Sequence, residues 1–309
     1  MTILEKTIDD PKDAFNFLED LAYTNNKEFN KEFIFRGQGN SEHRLKTSYQ
    51  RFSNISHELR MPIDDLLTKF RVGLIKMGIN PFESDNRQDW LEFSRHHGLP
   101  TPCLDFTYSP YVALFFAFNG IRNGNNKDEE YVVLYALDIN QLSSRWASWK
   151  HDIQKEKDQY NQACNEFRLP KMPLFKEEFP VMRLQFIPFP SKFNLRMQRQ
   201  IGALLYDTLD YKTIGYKGLE DFIDKYEEPD IVCFDGENKK GDPTLFKVFI
   251  NKKCIRNVME RLELMGINGG TLFMNADGVA MDVINANAYN MKTGYLRNVN
   301  FWKETKILG

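Results

Sequence analysis

The chain has 309 residues, 42% of them apolar and 14% aromatic, with 41 basic and 43 acidic side chains and a formal net charge of −2. This supplies a packed core and excludes intrinsic disorder, and the balanced charge gives no general electrostatic case for nucleic-acid or membrane binding, leaving only local basic patches. The longest apolar run, YVALFFAF at 111–118, is far too short to cross a bilayer. The four cysteines, at 103, 164, 233 and 254, follow neither zinc-ligand nor disulfide-framework spacing. The opening residues hold no signal-peptide core, so the expectation is a reduced, cytoplasmic protein with no membrane partner.

In chain order, residues 11–25 predict an amphipathic helix, with Asp10-Pro11 as its start signal and Phe15, Leu18 and Ala22 on one face. EFIFRG at 32–37 predicts a strand stopped by Gly37. Residues 63–78 and 86–97 predict two helices, the second with Trp90, Phe93 and His97 on one stripe. GLPTPCLDFTY is broken by Gly98, Pro100 and Pro102 and reads as a proline-locked turn. Ser109-Pro110 then starts a helix over 110–119 that is apolar nearly all round and therefore buried.

YVVLYALD at 131–138 predicts a strand, and residues about 140–170 a charged helical insertion with Trp146 and Trp149. Further strands are predicted at VMRLQFI, at 202–208 and at 244–251, and a helix over 252–266 opens a helical C-terminal segment reaching about 290. Strands and helices without regular alternation indicate one α+β domain over 1–309.

Few residues offer themselves for chemistry. His96 and His97 are adjacent, so on a helix they point about 100° apart and do not form a metal-binding pair. His43 and Asp105 could join one of them only through the fold, so no metal is expected. Cys103 has no evident electropositive setting to activate it. Neither a Walker loop nor a nucleophile elbow is present. Asp105, among prolines and just before a helix cap, suits a structural role on backbone N–H groups. Arg36 ends an apolar strand beside Gly37, where backbone and ligand can approach closely. Its guanidinium suits either a phosphate or carboxylate clamp or an ion pair with a nearby acid, and both readings stand.

FIFRGQ (33–38), RHHGLPTPCLDFTYSPYVALFFAF (95–118), NLRMQRQIGALL (194–205) and LMGINGGTLFMNADGVAMDV (264–283) together resemble the FRG family, named for its Phe-Arg-Gly motif. Arg95 stands where that family usually has glutamine, Pro102-Cys103 where it has Arg-Leu, and Phe106 where it has tryptophan; Arg196, Gln200 and Gly202 match its third block. The resemblance implies an ADP-ribosyltransferase-like split β-sheet core with surrounding helices, binding NAD as substrate in a cleft. It makes Arg36 the grip on NAD, places Gly37, Thr107 and Ser109 along the binding site, and sets Gln200 where a catalytic glutamate would act. His97 and Asp105 become residues that hold the motif's shape. The implied activity is ADP-ribosyl transfer to a protein or nucleic-acid acceptor, or NAD hydrolysis, as in a bacterial toxin or phage-defence effector. A neutral amide at Gln200 cannot put a full negative charge beside a developing cation. That keeps open a non-catalytic nucleotide- or nucleic-acid-binding regulatory module. A hydrolase using the His/Asp cluster is the third reading.

Overall fold

A computed structural model describes residues 3–23, 33–55, 62–81, 86–119, 130–140, 142, 184–187, 194–207 and 244–291. Among the described residues, seven strands form one mixed sheet: β1 (Ile3–Ile8), β2 (Phe33–Gln38), β3 (Cys103–Thr107), β4 (Tyr131–Asp138), β5 (Leu184–Ile187), β6 (Gly202–Asp207) and β7 (Leu245–Asn251), in the order β1-β7-β4-β2-β3-β6-β5. Only β1 and β7 run parallel; the other neighbours are antiparallel. The architecture is therefore α+β, as expected.

The sheet is continuous, but its two halves meet at a single register pair, Phe35 with Thr107. On either side the ladders are long: β2 pairs β4 from Phe33↔Asp138 to Gln38↔Val133, and β3 pairs β6 from Cys103↔Tyr206 to Thr107↔Gly202. Past Phe35 and Thr107, β2 and β3 part company. This departure opens a cleft.

Among the described residues, five helices precede β4: α1 (Pro11–Ala22), α2 (Ser48–Ile55), α3 (Ile63–Lys76), α4 (Arg87–His96) and α5 (Pro110–Asn119). Helix α1 starts as its sequence dictates, the Asp10 side chain accepting from the N–H of Lys12 at 2.7 Å with Pro11 in the first turn. Helix α5 is apolar on nearly every side because it is buried along most of its surface, with Phe116 left at the cleft. Phe115 and Phe118 are fully buried in a cluster with Phe15 and Leu18 of α1, Phe33 and Phe35 of β2, and Val248 of β7. The opposite sheet face carries Ile34, Leu104, Phe106, Val133, Tyr135 and Leu205. A third cluster seats α3 and α4 on the β3–β6 half through Leu67, Trp90, Leu91, Cys103 and Leu204.

After β5 come α6 (Leu195–Arg199), then, beyond β7, a short 3-10 turn (Lys252–Cys254), α7 (Ile255–Leu264), α8 (Gly269–Phe273) and α9 (Ala276–Ala288). Helices α8 and α9 meet backbone to backbone: a Cβ on Gly269 would lie 2.4 Å from the Gly278 carbonyl oxygen. The Asp282 carboxylate accepts from the N–H groups of Gly269 and Gly270 at 2.6 and 2.7 Å.

Two expectations need correction. The stretch taken as a proline-locked turn contains β3, a strand whose Cys103, Leu104, Phe106 and Thr107 are buried. The expected split into two sheets is a narrowing of one sheet. The helical insertion near 140–170 lies outside the described residues apart from positions 140 and 142.

Candidate functional site

The cleft, of about 500 Å³, is walled by the end of β2, the C-terminal end of α4 with the turn after it, β3, one side of α5 and the α6 turn. Alternation along β3 decides what it sees: Leu104 and Phe106 join the core on one face, so Cys103, Asp105 and Thr107 take the other. Residues Arg196 and Gln200 are four apart on and just beyond α6 and so share a side, while Met197 between them is buried.

Arg36 occupies the place where β2 and β3 separate. Its Nη1 donates to the backbone carbonyl of Asp105 at 2.7 Å. Its Nε is buried with no acceptor among the described residues. Burial is the main cause that lowers its pKa, to about 10; Asp105 opposes the shift, while Arg95 and Arg51 add to it. The guanidinium is still cationic at neutral pH. Neither the clamp nor the ion pair describes it fully, because its partner is a carbonyl and its buried Nε is left without an acceptor among the described residues.

Asp105 is held by Arg95. Nε of Arg95 donates to Oδ1 at 2.6 Å, Nη2 donates to Oδ2, and Nη1 reaches Thr101 Oγ1 at 3.1 Å. Burial alone would raise the Asp105 carboxyl. The charge of Arg95, its hydrogen bonds and the charges of Arg36 and His96 outweigh that and hold it at about 2. Asp105 thus braces the motif through a guanidinium, where backbone N–H groups were expected.

Thr107 lines the cleft, but its hydroxyl is engaged. It donates to the Gln200 carbonyl at 2.6 Å and accepts from the Ser109 N–H at 3.0 Å. Ser109 Oγ accepts from the N–H of Val112 at 3.3 Å and so caps α5, outside the cleft wall. Gln200 is buried at the cleft's far wall, and its Nε2 donates to the Leu272 carbonyl at 3.4 Å.

Gly37 borders the cleft, yet the close approach it permits is to helix α5. A Cβ there would lie 1.9 Å from the Ala113 carbonyl oxygen and 2.5 Å from the Ala117 nitrogen. The helix backbone takes the space that the sequence reading gave to a ligand.

The histidines separate. His97 ends α4 with its ring 4.4 Å from that of Phe93, a packing position. His96 lines the cleft, where burial and the neighbouring Arg196 lower its pKa, against Asp105. His43 contributes its backbone carbonyl, which accepts from Gln38 and Tyr135. Among the described residues no three of His, Cys, Asp and Glu gather closely enough to hold a metal ion. Cys103 is buried, and burial pushes its thiol up to about 12 despite nearby Arg95.

Arg95 and Arg196 are the residues that sequence reasoning left out of the site. Arg196 lies in the cleft with its guanidinium carbon 4.2 Å from the centre of the Phe273 ring. Its shared side with Gln200 was readable from the four-residue spacing. Arg95 stood in the sequence as an exchange for glutamine, but only the return of β3 beneath α4 brings it onto Asp105.

Fold and site together define an α+β protein with a cationic cleft at the narrow point of a mixed sheet. Residues 31–126, from just before β2 to just beyond α5, match the family model of the FRG domain, so this span of the chain is similar to that domain. No curated protein and no solved structure matches the chain. The blocks at 194–205 and 264–283 lie outside the matched span, although the first supplies a wall of the cleft.

Proposed function

We propose that the cleft binds a phosphate-bearing nucleotide, with NAD as substrate, for ADP-ribosyl transfer to a macromolecule or for NAD hydrolysis. The observation that carries this reading is the convergence of Arg36, Arg95 and Arg196 on one cleft whose only lining carboxylate, among the described residues, is Asp105. Such a site has a net positive charge inside low-dielectric walls and favours an anion. Its volume of about 500 Å³ suits a nucleotide. The cleft lies where β2 and β3 part, within the span that matches the FRG family model. The Arg36 guanidinium would grip a phosphate oxygen, and Arg196, on its aromatic support, would reach a second.

In this reading the glycosidic bond to nicotinamide breaks and positive charge develops on the ribose. Asp105 and the neutral Gln200 line the cleft and would be the candidates to support it. A role in toxicity or phage defence would follow from consumption of NAD or modification of a macromolecule.

The second reading, a non-catalytic nucleotide- or nucleic-acid-binding regulatory module, is favoured by Gln200, which is uncharged and already bonded to Leu272. Titration calorimetry with NAD, alongside chromatography for released nicotinamide, tests both. Binding with release supports the enzyme, and binding without release supports the module. For Arg36→Ala, affinity should fall about ten- to a hundredfold, the worth of a charge-assisted bond. Arg36→Lys should recover part of it, lacking the planar fork. If the parent binds neither NAD nor inorganic pyrophosphate, the nucleotide reading fails.

A further inference from the structure

A carboxylate is out of place in a cleft built for anions. Asp105 nevertheless turns its side chain into this one, with 45% of that side chain exposed, while Arg95 opposite is 18% exposed. Arg95 takes one lone pair on each carboxylate oxygen. An ionised carboxylate offers about four acceptor sites, so others still face the cleft. Whatever meets them must donate hydrogen bonds. A phosphate cannot, and would be repelled there; a pair of neighbouring hydroxyl groups can.

We infer that Asp105 recognises the vicinal hydroxyls of a ribose in the bound nucleotide, its two oxygens accepting from the 2′- and 3′-hydroxyls while Arg36 and Arg196 hold the phosphates. The inference rests on the nucleotide reading of this cleft and adds the group that selects a ribonucleotide over other phosphorylated compounds. Arg95 acts through Asp105: the fork fixes the plane of the carboxylate and keeps it ionised, so both oxygens are acceptors when the ligand arrives. Asp105 therefore contributes opposite signs to two parts of one ligand. It attracts the sugar and repels the phosphates.

This opposition gives the test. Affinities are measured by calorimetry for ADP, 2′,3′-dideoxy-ADP and inorganic pyrophosphate. The parent should bind ADP about tenfold or more tightly than the dideoxy analogue, the range expected for hydrogen bonds to a charged acceptor. In Asp105→Asn, ADP should bind about tenfold more weakly, whereas pyrophosphate should bind as tightly as before or more so. A residue that only braces the cleft would move both ligands in the same direction, and that result overturns the inference. Equal affinity of the parent for ADP and its dideoxy analogue overturns it too, without using a variant, and leaves the anion-binding cleft standing. A parent that binds none of the three removes the nucleotide reading and this inference with it.

Discussion

Replacing Arg95 by glutamine tests how the motif is held together. The change removes the fork on Asp105 and the bond from Nη1 to Thr101 Oγ1 at 3.1 Å. Taking one partner from a fully buried ion pair costs about 3–5 kcal/mol, because the other charge is left uncompensated. Asp105 has 45% of its side chain exposed, and Arg36 and His96 still act on its charge. Solvent screening and these charges reduce the expected loss to about 1–2 kcal/mol. The assay is urea denaturation at pH 7 of the parent, Arg95→Gln, Asp105→Asn and the double variant. If the pair acts as a unit, the double variant should be less stable than the parent by clearly less than the two single losses summed. Losses that add within about 0.3 kcal/mol would refute the reasoning. The pH dependence has a definite sign. The folded pKa of Asp105 is depressed from 3.8 to about 2, so its stabilising contribution is complete above about pH 4 and fades as pH falls towards 2. After allowance for exposure it amounts to about 1 kcal/mol.

Two further outcomes follow from close packing and burial. Gly37→Ala should cost about 3 kcal/mol or abolish folding, since its Cβ would meet the Ala113 carbonyl oxygen at 1.9 Å and helix backbone cannot yield as a flexible side chain can; a thermal midpoint equal to the parent's would show that β2 and α5 are not in such contact. Cys103, buried with its thiol pushed up to about 12, should stay unmodified by iodoacetamide at pH 8 in the native protein and react after unfolding, as read by peptide mapping; rapid native labelling would return it to the list of nucleophile candidates.

Local chemistry written in the chain was sufficient for the elements that depend on it. Asp10-Pro11 and Ser109-Pro110 mark their helices because caps and first-turn prolines act over a few residues. The near-uniform apolarity of residues 110–119 announced a buried helix. Strand β1 escaped notice because an edge strand with four exposed positions, ILEKTI, carries little apolar pattern. Strand β3 escaped because prolines and glycine immediately before it read as a turn, while its pairing with β6 is made by residues about a hundred positions away.

The site divides along the same line. Arg36 was legible as a charged group ending an apolar strand, and Asp105 as a carboxylate among prolines just before a helix cap. Only the tertiary structure decided that Gly37 serves helix α5, that Ser109 serves the helix cap, and that Arg95 and Arg196 join Arg36 in one cleft. Caps, turns and strand alternation are set by neighbours in the chain. The charge of a cleft is a sum over groups brought together from distant segments, and it exists only once the two halves of the sheet have joined at the Phe35–Thr107 register pair.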